Sequence, residues 1–321
     1  MTTHRTPQPV RAAMSSLAAA ALAVSILALA PAPSSHATTS LAASVRAIIN
    51  AARHDRPEPP DRCSYDAGVN QWPPATKTRA CLRHRGSGKT VLLVGDSHAE
   101  HWSPAFSRIA RQRHWTFYTL TRARCSPMNY VAVRKIDRRR PTIGEICANW
   151  RKVAYPTVIK RYDPDLVFFG GRSQVYNIRV DDHVVRMGSG DWLHQWRKSW
   201  RWTVRTLGAK GARLGALTLQ PTMHANIPDC LDRYGLRTDM CNTRIVDDRQ
   251  TIITNRFIHK VNSTYPRVRP IPVNNLVCPK GLCRARIDGL ITHADMSHLT
   301  ARWSRSQGDE IIKILRSRKR L

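Results

Sequence analysis

Short apolar runs alternate with longer stretches of helical period along most of this chain. Val91-Leu92-Leu93-Val94 is a run without a polar break, and it stops at Gly95-Asp96-Ser97-His98. Such a run suits a strand covered on both faces. Similar runs at 116–120, 166–169, 213–219 and 268–273 are separated by helical periods that include 102–112, 193–207, 248–263 and 299–315. Strands that alternate with helices read as parallel strands joined by crossovers. The expectation is a single α/β domain with a three-layer, flavodoxin-like fold around a central, mostly parallel five-stranded sheet.

The chain before residue 63 has a different character. Residues 1–11 carry Arg5 and Arg11 and no acid, 12–30 are mostly Ala and Leu, and Ser35-His36-Ala37 offers a small-x-small cleavage site. Residues 1–37 read as a secretory signal peptide or, because the apolar stretch nears the lower length of a membrane span, as an uncleaved anchor. Residues 38–62 read as a linker, broken by Arg56-Pro57-Glu58-Pro59-Pro60. The domain then runs from 63 to 321, loop-rich as far as Gly88.

Charge and cysteines fit export. The formal net charge is +30, and removing residues 1–37 takes two arginines and no acid, leaving +28. So basic a surface gathers polyanions, so anionic cell-wall polymers or a membrane surface are expected partners. No zinc finger or RNA-binding signature is present, which argues against specific nucleic-acid recognition. Eight cysteines in an exported chain favour disulfides over metal. Their order suggests Cys63–Cys81, Cys125–Cys147, Cys230–Cys241 and Cys278–Cys283, although 105 connectivities exist for eight cysteines.

The chemistry is expected where the first strand ends. A buried strand that breaks at Gly95-Asp96-Ser97 holds a hydroxyl at the carboxyl edge of the sheet, where open α/β folds bind ligands. Serine needs a base, and the base usually needs an orienting acid. Asp295-Met296-Ser297-His298 supplies both at a spacing that lets Asp295 reach the His298 ring. Asp96 reads as a tie for the turn. His98, His101 and His293 read as packing or hydrogen-bonding groups, with no metal expected. Trp192, Trp196 and Trp200 share one helical face and read as core, leaving Arg197, Lys198 and Arg201 solvated.

Together, Val91-Leu92-Leu93-Val94-Gly95-Asp96-Ser97-His98-Ala99 and Asp295-Met296-Ser297-His298-Leu299-Thr300 resemble the SGNH hydrolase superfamily. Trp102, Cys125-Ser126-Pro127 and the pairs Cys230/Cys241 and Cys278/Cys283 narrow the resemblance to the SGNH domain associated with acyltransferase-3 membrane proteins. The resemblance implies a cofactor-free serine esterase or O-acyltransferase acting on acyl, above all acetyl, esters of cell-envelope carbohydrate. It further implies Ser97 as nucleophile, His298 as base and Asp295 as acid; in the family a fused membrane part supplies acyl groups, so the expectation here is either an independent esterase or a transferase served by a separate membrane acyl donor protein. The family's oxyanion pattern is incomplete here: 122–125 lacks the Gly and Phe169-Gly170-Gly171-Arg172 lacks the Asn. Amides of Ser97, Arg124 and Gly171, with Arg172, are the candidate donors. A non-catalytic basic module that binds anionic wall polymers is the alternative, and a lipid esterase is a third reading.

Overall fold

The computed structural model describes residues 35–57, 80–133, 142–172 and 176–317. The expected leader, apart from residues 35–37, lies outside these residues, as do Cys63 and the end of the expected linker. Two units divide the chain, 1–42 and 43–321. In the first, residues 35–42 are helical.

Helix α1 (Ser35–His54) comes first, and then β1 (Cys81–His84). Strand β2 (Thr90–Gly95) is followed by the short helix α2 (Ser97–Glu100), α3 (Ser103–Arg113) and β3 (Thr116–Thr121). Next come β4 (Val131–Val133), α4 (Ile143–Tyr162), β5 (Leu166–Gly170), β6 (Asn177–Val180) and β7 (His183–Val185). Then follow α5 (Gly190–Leu207), β8 (Arg213–Leu217), α6 (Ile227–Tyr234), β9 (Thr243–Arg244), α7 (Arg249–Thr264) and β10 (Val268–Ile271). Helix α8 (Asn274–Val277), strands β11 (Leu282–Cys283), β12 (Arg286–Ile287) and β13 (Leu290–Ile291), and helices α9 (Ala301–Ser306) and α10 (Gly308–Ser317) complete the second unit.

The main sheet has the order β1-β3-β2-β5-β8-β10. Its last five strands are parallel and are the five expected from the apolar runs, while β1 is a sixth, antiparallel to β3. A small antiparallel sheet, β4-β6-β7, stands apart. Alternation along β2 divides the core between the two faces. Val91 and Leu93 pack with Trp102, Phe106 and Trp303. Leu92 and Val94 pack with Trp150, Tyr155, Trp196 and Trp200. The tryptophan stripe of α5 is therefore core, with Trp196 and Trp200 rings 5.4 Å apart.

Two expectations need correction. The segment 38–62 does not begin as a linker: it is helical to His54, and Ile49 and Ala52 are buried at 1% and 7% exposure. Val45, Ile49 and Ala52 fall at helical spacing and meet the core on one face. The closing helix expected over 299–315 is two helices. Their junction at Gly308 lies so close to Arg108 that an added Cβ would sit 2.9 Å from its Cδ.

Candidate active site

The serine turn is built by backbone constraints. Gly95 has φ +154°, and a Cβ there would strike the Gly170 carbonyl oxygen and lie 2.7 Å from Ala99 Cβ. Only glycine fits, so β2 and β5 can stay paired up to Gly95 and Gly170. Asp96 caps α2, accepting the His98 amide at 2.7 Å on Oδ1 and the Arg172 amide at 2.9 Å on Oδ2. The expected role of Asp96 as a tie is what its contacts show. Ser97 is the first residue of α2, where a helix gives its amide no internal partner.

The loop before α9 returns to this edge. Ser97 Oγ donates to His298 Nε2 at 2.8 Å, and His298 Nδ1 donates to Asp295 Oδ2 at 2.8 Å. Asp295 Oδ1 accepts the Ser297 amide at 2.6 Å and the His298 amide at 2.8 Å. A hydroxyl, an imidazole and a carboxylate thus form one hydrogen-bonded line. Such a line can withdraw a proton from the hydroxyl while the carboxylate stabilises the resulting imidazolium.

The electrostatics support an ionised acid among neutral imidazoles. Burial would raise the Asp295 pKa, but the His298 side chain and the amides of His298 and Ser297 outweigh it and hold the carboxyl well below the usual range. Burial lowers the pKa of His98 and drives that of His101 well down. His293 is brought to about 3, again by burial first. His98 and His101 pack beside His298, with ring centroids 4.6 and 6.4 Å away. Among the described residues no group of three His, Cys, Asp or Glu side chains is arranged to hold a metal ion. A cavity of about 310 Å³ lined by Leu166, Arg213, Arg267 and Leu315 contains none of Ser97, Asp295 and His298.

The oxyanion candidates are placed differently from one another. The Arg172 amide donates to Asp96 Oδ2, and its guanidinium donates to Thr222 Oγ1 at 2.7 Å through one of its five N–H groups. Gly171 has φ +149°, and its missing side chain makes room for the Asp96 carboxylate. Arg124 takes the left-handed conformation at φ 65° in the loop after β3. That loop is joined to the serine strand by the Arg122 amide, which donates to Gly95 O at 2.9 Å.

Disulfides join Cys125 to Cys147, Cys230 to Cys241 and Cys278 to Cys283, three of the expected pairs. Cys81 is buried in β1, and its expected bond to Cys63 falls outside the described residues.

Three neighbours of the site carry no signal in sequence. Arg56 Nη2 donates to Asp295 Oδ2 at 2.8 Å. Glu100 joins α2 to the sheet by accepting from Arg83 and from Thr121 Oγ1. Gln220 lies against His101, its amide nitrogen 2.7 Å from the ring Nε2.

A parallel sheet with serine, histidine and aspartate gathered at its carboxyl edge is an arrangement suited to acyl-ester chemistry. The family model described as "SGNH domain (fused to AT3 domains)" matches residues 62–313, and the chain belongs to that family. The enzyme is accordingly an SGNH-type esterase or acyltransferase.

Several solved structures are similar to this chain. The periplasmic domain of a lipopolysaccharide acetyltransferase from Salmonella ser. Paratyphi A is 16% identical with TM-score 0.50, covering 71% of this chain and 85% of that one. A putative acylhydrolase from Bacteroides fragilis is 10% identical with TM-score 0.41, over 81% and 96% of the two chains. The C-terminal catalytic domain of Streptococcus pneumoniae peptidoglycan O-acetyltransferase A is 12% identical with TM-score 0.32, over 73% and 96%. No curated protein matches the chain.

Proposed function

We propose that this protein is an exported enzyme that removes or transfers acyl groups, acetyl above all, on cell-envelope carbohydrate. The observation that carries the reading is the line Ser97–His298–Asp295, with 2.8 Å at both links. Ser97 Oγ attacks the ester carbonyl as His298 takes its proton. Collapse of the tetrahedral intermediate breaks the bond to the alcohol, which leaves with the proton from His298, and an acyl-serine remains. Water or a sugar hydroxyl then attacks, again giving its proton to His298, and the freed Ser97 recovers a proton. Water makes the enzyme an esterase, and a sugar makes it an O-acyltransferase.

The oxyanion is received by the amide of Ser97 together with amides around Arg124 or Gly171. In the transfer reaction a membrane acyl donor supplies the acyl group. Three disulfides in the described residues and the basic leader support export. The net charge of +30 favours an anionic envelope surface.

The test uses the protein from residue 38 onward with acetylated wall glycan, with and without an acceptor sugar, following acetate release and acetyl transfer. Activity is expected, lost in both Ser97→Ala and His298→Ala, with an organophosphonate labelling Ser97. Full activity in Ser97→Ala overturns the mechanism. No turnover and no labelling, with salt-sensitive retention on wall material, establishes the binding module instead.

A further inference from the structure

Residues 55–57 run past the loop that carries Asp295 and His298 and hold it from both sides. The Ala301 amide donates to Asp55 O at 2.9 Å and the Arg302 amide to Asp55 Oδ2 at 3.0 Å. On the other side of His298, Arg56 reaches Asp295 Oδ2 at 2.8 Å. The segment is anchored behind this contact by buried Ile49 and Ala52 and by the Arg53–Asp229 ion pair at 2.8 Å.

The charge pattern at Asp295 gives Arg56 a task. Oδ2 receives Arg56 Nη2 and His298 Nδ1 together, while Oδ1 receives two amides and, at 3.4 Å, the Ser297 hydroxyl. A permanent guanidinium therefore shares one oxygen with the ring that must become positive when it takes the serine proton. The other charged or titratable groups near this ring are His98, His101 and His293, whose pKa values burial lowers, and Asp96 and Arg172 at the serine turn.

We propose that Arg56 is a positioning residue of the catalytic machinery, one that fixes the rotation of the Asp295 carboxylate and restrains the charging of His298. The proposal rests on the function given above and adds a residue from the segment that precedes the domain. Its sign is definite. Removing a cation beside the ring that gains the serine proton moves the acid limb of the activity toward higher pH.

The test is the pH dependence of kcat/KM for a small acetyl ester in wild type, Arg56→Ala, Arg56→Gln and Arg56→Lys. In the Ala and Gln variants the acid limb is expected to move upward by about half a pH unit, the scale of two cations sharing a partly solvated carboxylate. The Lys variant should stay near wild type. Because Arg56 is 43% exposed, high salt should move wild type toward the Ala variant. A merely structural contact would lower the melting temperature and leave the acid limb in place. Loss of activity in Ser97→Ala with superimposed acid limbs in all Arg56 variants overturns this role alone. Full activity in Ser97→Ala overturns the catalytic reading and this role with it.

Discussion

Gly171→Ala puts the link between the serine turn and β5 under direct strain. A Cβ at Gly171 would lie 2.8 Å from both Cγ and Oδ1 of Asp96 and 2.9 Å from Oδ2. The carboxylate cannot withdraw without stretching its bonds to the His98 and Arg172 amides, at 2.7 and 2.9 Å. Backbone strain at φ +149° costs about 1–3 kcal/mol. Losing one charge-assisted hydrogen bond adds about 1.5–3 kcal/mol. The sum is roughly 2.5–6 kcal/mol, which for a domain of this size lowers the melting temperature by roughly 5–24 °C.

Ser97 directly follows Asp96, so its 2.8 Å bond to His298 should be disturbed as well. A displacement of about 1 Å costs on the order of 10²-fold in rate. Gly211→Ala is the control, because Gly211 also has positive φ, +89°, but nothing within 4 Å of its added Cβ. It carries the backbone strain without the clash. Thermal melts and initial rates on a small acetyl ester separate the two effects. Equal melting temperatures and equal rates for the two variants would refute the clash with Asp96 as the reason for glycine at 171.

Asp295→Asn should lower kcat by about 10³- to 10⁴-fold, since a carboxamide cannot stabilise the imidazolium as the carboxylate does. The folded pKa of Asp295 is depressed, so its contribution to stability is present above the unfolded value near about 4 and drains away below it. The gap in melting temperature between wild type and Asp295→Asn should therefore narrow as pH falls from 4, and a constant gap would contradict this. His293 is neutral when folded and brought to about 3 by burial, whereas the unfolded chain binds its proton from about pH 6.5 downward. Its stabilising effect is thus complete above about pH 6.5 and lost toward pH 3, by up to about 1.4 kcal/mol per pH unit. Urea titrations across that window should show a shallower slope for His293→Gln, and an unchanged slope would count against it. Arg151 is buried and donates to Ser126 O at 2.8 Å and Tyr130 O at 2.5 Å. Arg151→Met leaves both carbonyls unpaired, with an expected loss of about 2–5 kcal/mol in urea unfolding, and a loss under 1 kcal/mol would remove Arg151 as the staple of this loop.

The elements legible in the sequence were those whose burial is simple. Leu92 and Val94 are buried against one face of the sheet and Val91 and Leu93 against the other, so β2 is apolar throughout. Strand β1 has a single neighbour and a register shift between Leu82 and His84, and Cys81-Leu82-Arg83-His84 shows no run. Helix α4 was harder for the opposite reason. It buries residues as varied as Gly144, Cys147, Arg151 and Tyr155, contains Pro156, and so presents no clean stripe. Its start was nevertheless written in the Thr142 and Glu145 capping box. Helix α1 escaped because two buried side chains, Ile49 and Ala52, suffice to dock a stretch that composition marks as small and polar.

At the site, local spacing and long-range register contribute different things. The three-residue step from Asp295 to His298 could be read directly, because one loop turn brings carboxylate and ring together. The fate of the Arg172 amide could not. Pairing of Gly95 with Gly170 sets Asp96 beside Gly171 and Arg172, and the bond that results joins residues 76 apart in sequence. An amide that looks available in sequence is thereby used to hold the serine turn. The contact of Arg56 with Asp295 spans 239 residues and depends on where α1 docks. Both contacts act through carboxylates that motif reading treats as complete once their nearest partners are found. A carboxylate has two oxygens and room for about four donors, and at Asp295 the donors are Arg56, the His298 ring, two amides and, at 3.4 Å, the Ser297 hydroxyl. The charge of Asp295 is thus balanced by donors from two distant segments, 55–57 and 295–298, and not by the His298 ring alone.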